Sequence, residues 1–256
     1  MYKKRKILAV ITARGGSQRL PNKNILPLAN KPLINWTIDS AKKSHYLDKI
    51  IVSTDCDKIM KIAAEANAEV PFKRPAYLAT ATANGIDPVK HAYKFMIDEL
   101  EETYDYVLLL QVTSPFRTAT DIDKAIKLLI DNEENNVDSV VSIVEPDKKI
   151  AWHYYLDFKQ KNRLVNALNN DKTNQTAYCL NGAIYIIKSD NLISKNCHSF
   201  ITKNTIGYIM PKERSLDIDT ILDFKFCELL LAEGVITNDN WKYSNITTTS
   251  NNFRSS

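Results

Sequence analysis

Residues 13–24 read Ala-Arg-Gly-Gly-Ser-Gln-Arg-Leu-Pro-Asn-Lys-Asn and follow a strongly apolar run, Ile7–Ile11. The run is rich in β-branched residues, which predicts a buried strand. Gly15 and Gly16 allow a sharp turn, and outward-facing N–H groups in such a turn form an anion-binding concavity. The stretch contains no carboxylate, and its cations are Arg14, Arg19 and Lys23. We therefore predict a phosphate-binding loop, and the plainer alternative is a solvated turn with ordinary surface charges.

Stretches typical of strands and of helices alternate after this loop. Strand-like runs, with helical segments between them, occur at Ile50–Ser53, Tyr106–Leu110 and Ser139–Val144. The alternation predicts an α/β fold in which a mostly parallel sheet carries helices on both faces. Ligands of such sheets bind outside the carboxyl ends of the strands. The polar strand exits at Ala13, Ser53–Asp55 and Gln111 are therefore expected to line one crevice.

The segment that follows the Tyr106–Leu110 run is Gln-Val-Thr-Ser-Pro-Phe-Arg, residues 111–117. Polar residues at a strand exit suit a binding loop on a rigid scaffold. Gln111 offers a donor and an acceptor to a polyhydroxylated or amide-bearing ligand, and Arg117 suits a carboxylate. We predict a ligand-binding group of Gln111, Thr113, Ser114, Arg117 and Asn181. Loop capping explains Thr113 and Ser114 equally well, and a simple Asn-Gly turn explains Asn181.

The second chemically informative pattern is Arg-Ser-Leu-Asp-Ile-Asp-Thr, residues 214–220. In an extended chain Asp217 and Asp219 project to the same face, and a divalent cation would relieve their repulsion. Mg²⁺ typically binds one or two carboxylates together with substrate phosphates. Alternatively, Asp219 caps the following helix and Asp217 is solvated. The presence of a phosphate loop elsewhere in the chain favours the metal site.

The composition is that of an ordinary soluble globular protein, with 44% hydrophobic residues, 25% charged residues and a formal net charge of +4. No transmembrane run or signal peptide is visible, and the four cysteines are scattered. We therefore expect a cytoplasmic protein with no membrane or nucleic-acid partner. We expect one main domain over residues 1–236, an inserted arm over residues 145–180 and a flexible tail over residues 237–256.

Taken in order, these segments resemble the acylneuraminate cytidylyltransferase family, which includes the enzymes that activate legionaminic and pseudaminic acids. The matching segments are Ala13–Ser17, Lys23–Asn24, Arg74–Ala79, Gln111–Arg117, Asn181–Tyr185 and Arg214–Phe224. The resemblance implies a nucleotide-diphospho-sugar-transferase-like fold and a homodimer joined through a small dimerisation arm, residues 145–180. It also implies that CTP reacts with a sialic-acid-like nine-carbon 2-keto sugar acid to give the CMP-sugar and pyrophosphate.

The resemblance further implies roles for individual residues. Arg14, Lys23 and Asp217 would be catalytic, and Asp217 and Asp219 would hold Mg²⁺. Gln111 would contact the sugar acid, and Arg74 would contact the cytosine. The remaining nucleotide-binding positions would be Ala13, Gly15, Gly16, Ser17 and Asn24.

The chain departs from the family pattern at Gln18, where Lys is usual, at Ala81, where Asp is common, and at Gly85, where a ribose-contacting Ser often stands. Residues 166–176 also lack a common Arg-Gln pair, which leaves the identity of the sugar open. Gln-Val-Thr-Ser-Pro argues against the Kdo-activating enzymes, which carry Gln-Gly-Asp-Glu-Pro. Two other functions stay open: a glycosyltransferase of related fold and a non-catalytic nucleotide-binding module.

Overall fold

The computed structural model describes residues 1–147, 154–157, 163–166 and 177–236, and the two short ranges are described as backbone only. The strands are β1 (Ile7–Thr12), β2 (Pro27–Leu28), β3 (Lys31–Pro32), β4 (Lys49–Ser53), β5 (Tyr106–Gln111), β6 (Ser139–Val144), β7 (Tyr154–Asp157), β8 (Arg163–Asn166), β9 (Cys179–Lys188) and β10 (Thr205–Ile209). The helices are α1 (Leu33–Lys42), α2 (Asp57–Glu65), α3 (Asp87–Asp98), α4 (Ala119–Ile130), α5 (Ser189–Ile193) and α6 (Ile221–Ala232).

The main sheet has the strand order β10-β6-β9-β5-β1-β4. Strand β1 runs parallel to β4 and β5, and β10 runs parallel to β6. Strand β9 is antiparallel to both of its neighbours, β5 and β6. The predicted mostly parallel α/β sheet is confirmed, with β9 as the reversed strand.

The core lies on both faces of this sheet because successive residues of the central strands point to opposite sides. Ile7 and Ile11 of β1 pack in one cluster with residues of α1 and α4. Leu8 and Val10 pack in the other cluster with residues of α3 and α5. Each of these β1 side chains is fully buried, and each such burial stabilises the fold by about 1.5–3 kcal/mol.

The register of the central strands creates one polar edge. Thr12 pairs with Ser53 on one side and with Gln111 on the other, so β1, β4 and β5 end at the same level. The loops that leave these strands therefore begin side by side. This places the predicted phosphate loop next to the predicted ligand-binding segment.

Capping boxes begin the helices that follow two functional segments. Thr118 and Asp121 exchange hydrogen bonds at the start of α4, and Thr220 and Asp223 do the same at the start of α6. Such caps satisfy otherwise unpaired N–H groups and typically contribute about 1 kcal/mol each. Asp219 is therefore not the helix cap that the alternative explanation required, because Thr220 has that position.

The predicted arm is described only in part. Strands β7 and β8 form an antiparallel pair that begins with Tyr154 opposite Asn166. The rest of residues 148–176 and the predicted tail, residues 237–256, lie outside the described part of the chain. Across the part that is described, no helix combines the length and apolar character that crossing a membrane would require.

Candidate active site

A cavity of about 540 Å³ opens at the polar edge of the sheet. It is lined by both of the segments that sequence analysis singled out. Arg14 and Lys23 come from the loop after β1, and Asp217 and Asp219 come from the segment before α6. Residues about 200 positions apart in sequence thus share one site.

The loop after β1 is held by the end of β4 more than the sequence suggested. The Ala13 N–H donates to the Ser53 carbonyl at 3.0 Å, and the Gly15 N–H donates to Asp55 Oδ1 at 2.9 Å. The Ala13 and Gly15 N–H groups are thus engaged by the end of β4 and by the turn after it, and the anion-binding concavity stays a prediction. Ala13, Gly15 and Gly16 also lie outside the cavity lining.

Close packing, rather than an unusual backbone angle, explains Gly15. Positive φ angles among the described glycines occur at Gly182 and Gly234 and not at Gly15 or Gly16. A Cβ at Gly15 would lie 2.9 Å from the Cβ of Cys56, which begins the turn into α2. The loop therefore lies against the end of β4 too closely for a side chain.

The side chains of the loop supply three of the four cations in the described lining of the cavity. Arg14 donates to the Thr80 carbonyl at 2.8 Å, and Asn24 donates to the Arg14 carbonyl at 2.9 Å. Lys23 Nζ donates to the Ile218 carbonyl at 2.7 Å. These contacts connect the loop to both walls of the cavity, and Ser17 and Asn24 line it as well.

Arg74 lines the same cavity as several residues of the segment between Leu78 and Pro88. Its Nε donates to Ser53 Oγ at 3.0 Å, and its guanidinium also donates to the Ser53 carbonyl. Burial lowers the pKa of Arg74 to about 10, although the charge of Asp55 opposes this change. Arg74 therefore remains a cation at neutral pH, held rigidly by β4.

Asp217 faces the cavity from the opposite side. Burial raises the pKa of its carboxyl; a hydrogen bond with Thr113 opposes that effect, and the charge of Asp219 adds to it. The side chain is exposed to the cavity, and the positive charge of Lys23 also opposes the rise of its pKa. The Ile218 N–H donates to the Thr113 carbonyl at 2.8 Å, which fixes the acidic segment against the loop after β5.

Gly182 brings Gln111 close to this acidic segment. Its φ is +77°, and a Cβ there would lie 2.8 Å from Gln111 Oε1 and 3.9 Å from Asp217 Cγ. A side chain at this position would collide with the Gln111 amide as well as strain the backbone. The glycine thus allows the Gln111 amide and the Asp217 carboxylate to stand side by side in the cavity.

The chemistry of the acidic residues fits a divalent cation that arrives with phosphates. Within residues 1–147 and 177–236, no group of three His, Cys, Asp or Glu residues is arranged to hold a metal alone. Asp217 and Asp219 supply two carboxylates, and Mg²⁺ commonly takes one or two carboxylates and completes its shell with phosphate oxygens and water.

Three of the predicted ligand-binding residues lie beneath the cavity surface and support the residues that line it. Ser114, Arg117 and Asn181 are buried and do not line the cavity, whereas Gln111 and Thr113 do. Arg117 donates to the carbonyls of Gln111 and Ala183 at 3.2 Å and 2.8 Å. It therefore joins β5 to β9 directly beneath Gln111.

Burial lowers the pKa of Arg117 to about 9, against the opposing charge of Asp121. Asn181 donates to Ser215 Oγ at 2.9 Å and accepts from the Ala183 N–H at 3.2 Å. Both residues hold backbone that carries site residues. A direct contact of either with the sugar finds no support in the cavity lining.

A buried ion pair that sequence analysis missed anchors the acidic segment. Arg214 Nε and a terminal guanidinium nitrogen donate to the two carboxylate oxygens of Asp121, each at 3.0 Å. Asp121 is 1% exposed and also accepts from the Tyr208 hydroxyl at 3.0 Å. The Arg214 in the sequence pattern was visible, but its partner lies 93 residues away, where no spacing rule connects them.

Comparison with known proteins agrees with this geometry. A family model described as cytidylyltransferase matches residues 8–197. A CMP-N,N'-diacetyllegionaminic acid synthase of Legionella pneumophila is 36% identical over 88% of this chain and 96% of its own length. An N-acylneuraminate cytidylyltransferase of Escherichia coli is 37% identical over 86% of this chain, which spans only 51% of that relative.

A solved structure of CMP:2-keto-3-deoxy-manno-octonic acid synthetase complexed with CTP shares the fold. Its TM-score is 0.65 at 17% identity, and the match covers 90% of this chain and 99% of that one. At such low identity the likeness concerns the fold alone. The matches in sequence are stronger, and they confirm the resemblance: the chain belongs to the cytidylyltransferase family.

Proposed function

We propose that this chain is a Mg²⁺-dependent cytidylyltransferase that activates a sialic-acid-like nine-carbon 2-keto sugar acid. The anomeric oxygen of the sugar acid attacks the α-phosphorus of CTP, and the bond from that phosphorus to the β-phosphate oxygen breaks. The products are the CMP-sugar and pyrophosphate, and the proton of the anomeric hydroxyl passes to solvent. The names of the two relatives support this substrate class.

One observation carries the proposal: the cationic loop and the acidic doublet face each other in one cavity, where Lys23 Nζ lies 3.1 Å from Asp219 Oδ1. The cations of the described lining are Arg14, Arg19, Lys23 and Arg74, and its carboxylates are Asp217 and Asp219. The cavity is therefore net positive, as a site for a polyphosphate bound to one divalent cation should be.

The arrangement suggests how the nucleotide lies in the cavity. Arg74 and the wall of residues 78–88 form the end that suits the base and ribose. Arg14 and Lys23 lie between that wall and the acidic segment, where they can neutralise the triphosphate. Gln111 and Thr113 lie beside Asp217, where the sugar acid must approach the α-phosphorus.

Phosphoryl and nucleotidyl transfers depend mainly on positioning and on charge stabilisation, so the absence of a nucleophilic side chain from this scheme is no obstacle. Asp217 and Asp219 would hold Mg²⁺ against the phosphates. When bound, Mg²⁺ would stabilise the charge that develops on the phosphates and lower the pKa of the sugar hydroxyl.

The direct test is pyrophosphate release by the purified full chain. We expect release only when CTP, Mg²⁺ and a suitable sugar acid are all present, and none when any one is omitted. A panel of sialic, legionaminic, pseudaminic and Kdo-type acids would identify the sugar. Binding of CTP with no turnover on any acid would instead support a non-catalytic module, and consumption of a nucleotide sugar without pyrophosphate would support a glycosyltransferase.

We further propose that the chain forms a homodimer through the arm, residues 145–180, and acts in the cytoplasm. Cys56, Cys179, Cys197 and Cys227 are all free thiols, which is the usual state in a reducing compartment. Sedimentation of the full chain and of a chain with the arm replaced by a short turn would test the dimer. A dimer that survives removal of the arm would overturn this assignment.

A further inference from the structure

We propose that Arg19 guards the carboxylate of Asp219 in the free protein and moves to a nucleotide phosphate when the triphosphate binds. Divalent cations would then bind well only together with the nucleotide. This inference rests on the proposed function and gives a role to a loop cation that has none so far.

Both carboxylate oxygens of Asp219 are engaged by cations. Lys23 Nζ lies 3.1 Å from Oδ1, and a terminal guanidinium nitrogen of Arg19 lies 2.7 Å from Oδ2. Asp217, two residues earlier, is instead bonded to the hydroxyl side chain of Thr113. One member of the acidic doublet is therefore neutralised by two cations, and the other has no such ion pair among the described residues.

The two cations differ in how firmly they are held. The Lys23 side chain is 14% exposed and also donates to the Ile218 carbonyl at 2.7 Å. The Arg19 side chain is 66% exposed and reaches Asp219 from the rim. Exposed ion pairs are weak because water and salt screen them. Arg19 can therefore leave Asp219 at little cost, whereas Lys23 is fixed.

The charge of Arg19 must oppose a metal ion at Asp219, because like charges a few ångströms apart repel even in a solvated site. A triphosphate changes this balance. It offers oxygens that match the guanidinium fork, and under the proposed function it would lie in the cavity that Arg19 lines. When Arg19 turns to a phosphate, the Asp219 oxygen that it covered becomes free for the metal.

The first experiment measures Mn²⁺ binding to the full chain without nucleotide, using the paramagnetic resonance signal of free Mn²⁺. Arg19→Gln should tighten Mn²⁺ binding by about threefold to tenfold, since one nearby positive charge is removed. Arg19→Lys keeps the charge and should remain close to the wild type. Arg19→Gln combined with Asp219→Asn should lose the gain.

Arg5 provides a matched control. It is an exposed arginine paired with Glu133 at 2.8 Å, and it lies outside the cavity. Arg5→Gln should leave Mn²⁺ binding unchanged. If Arg19→Gln binds Mn²⁺ no more tightly than the wild type, or if Arg5→Gln shows the same gain, the guarding role is overturned.

The second experiment measures nucleotide binding by calorimetry in EDTA, so that no metal contributes. Arg19→Gln should weaken CTP binding by about threefold to tenfold, because one phosphate contact is lost, and should leave cytidine binding unchanged. Equal effects on CTP and cytidine, or none on CTP, would overturn the movement to phosphate. Neither experiment measures turnover, so failure of the proposed reaction would appear separately, as absent pyrophosphate release with both binding results intact.

Discussion

The aspartates Asp121 and Asp217 show how differently two regions of this molecule treat a carboxylate. Asp121, behind the sheet edge, accepts two hydrogen bonds from Arg214 and one from Tyr208, all at 3.0 Å. Burial alone would raise the pKa of Asp121, but the hydrogen bonds from Arg214 and Thr118 outweigh it and lower the pKa. In the cavity, burial raises the pKa of Asp217, and its partners do not reverse the change.

The difference separates support from function. A carboxylate whose pKa is lowered stabilises the fold while it is ionised, and one whose pKa is raised destabilises the fold while it is ionised. In the first region the charge of Asp121 is compensated within the protein, by Arg214. In the second region Asp217 has no ion pair among the described residues, as a carboxylate that must bind an outside cation would.

The largest effect is expected from a substitution that breaks the ion pair between Asp121 and Arg214. Asp121→Asn should lower the free energy of unfolding by about 3 kcal/mol, because the variant leaves Arg214 without its ionised partner. We expect the lower end of the usual range, since the Arg214 side chain is 30% exposed and can reach water. Urea denaturation checks this value, and a loss below about 1 kcal/mol would place the pair among ordinary surface contacts.

The dependence of the free energy of unfolding on pH, measured in the acidic range, provides the control. Because the pKa of Asp121 is lowered on folding, its contribution is present above the ordinary aspartate value and is lost as the pH falls through the lower, folded-state pKa. Wild-type stability should therefore fall through that range more steeply than the stability of Asp121→Asn. If the free energy of unfolding fell equally steeply with pH in both proteins, the stabilising role of ionised Asp121 would be contradicted.

The next effect separates function from stability in the cavity. Asp217→Asn should reduce pyrophosphate release by about a hundredfold or more, because the developing phosphate charge loses a metal ligand. The same change should leave the free energy of unfolding equal or higher, since it removes an ionised group whose pKa is raised. A near-normal rate would remove the metal role from Asp217.

A smaller effect should distinguish the two substrates. Lys23→Ala should raise the KM for CTP about tenfold and change the KM for the sugar acid far less, because the ammonium group neutralises the triphosphate. Lys31→Ala is the matched control, since Lys31 pairs with Asp39 outside the cavity. Equal effects of Lys23→Ala on both substrates would count against a triphosphate at that position.

The smallest effect is expected at the pair of Arg19 with Asp219, in contrast to the pair of Arg214 with Asp121. Arg19→Gln should change the free energy of unfolding by less than about 0.5 kcal/mol, since the Arg19 side chain is 66% exposed and water screens its pair with Asp219. Denaturation under the conditions used for Asp121→Asn makes the values comparable. A loss as large as that of Asp121→Asn would mean that Arg19 supports the fold and cannot move freely.

The sheet could be predicted from the sequence because its central strands are continuous apolar runs between turns. Ile7–Ile11 and Tyr106–Leu110 correspond closely to β1 and β5. The reversal of β9 could not be predicted, because an apolar strand that follows a long insertion gives no sign of its direction. The ends of α6 (Ile221–Ala232) are also visible in the sequence, because the capping Thr220 and the following Gly234 are local signals.

The sequence predicts a site residue correctly where the type of side chain by itself indicates the chemistry. Arg14, Lys23, Gln111, Asp217 and Asp219 all line the cavity, as the patterns suggested. Sequence does not reveal whether a polar side chain at a strand exit points into the cavity or beneath it, so Arg117 and Asn181 were grouped with Gln111. The sequence also does not show which distant segments lie within reach of a long side chain. The contact between Arg19 and Asp219, 200 positions apart, was therefore missed.

The pairing of β6 with β9 has a consequence for the segment that connects them. Val144 at the end of β6 pairs with Cys179 at the start of β9, so the chain that departs between them returns to the place it left. The cost of closing such an excursion grows only slowly with its length. The segment between these two strands can therefore lengthen or shorten while the sheet keeps its register.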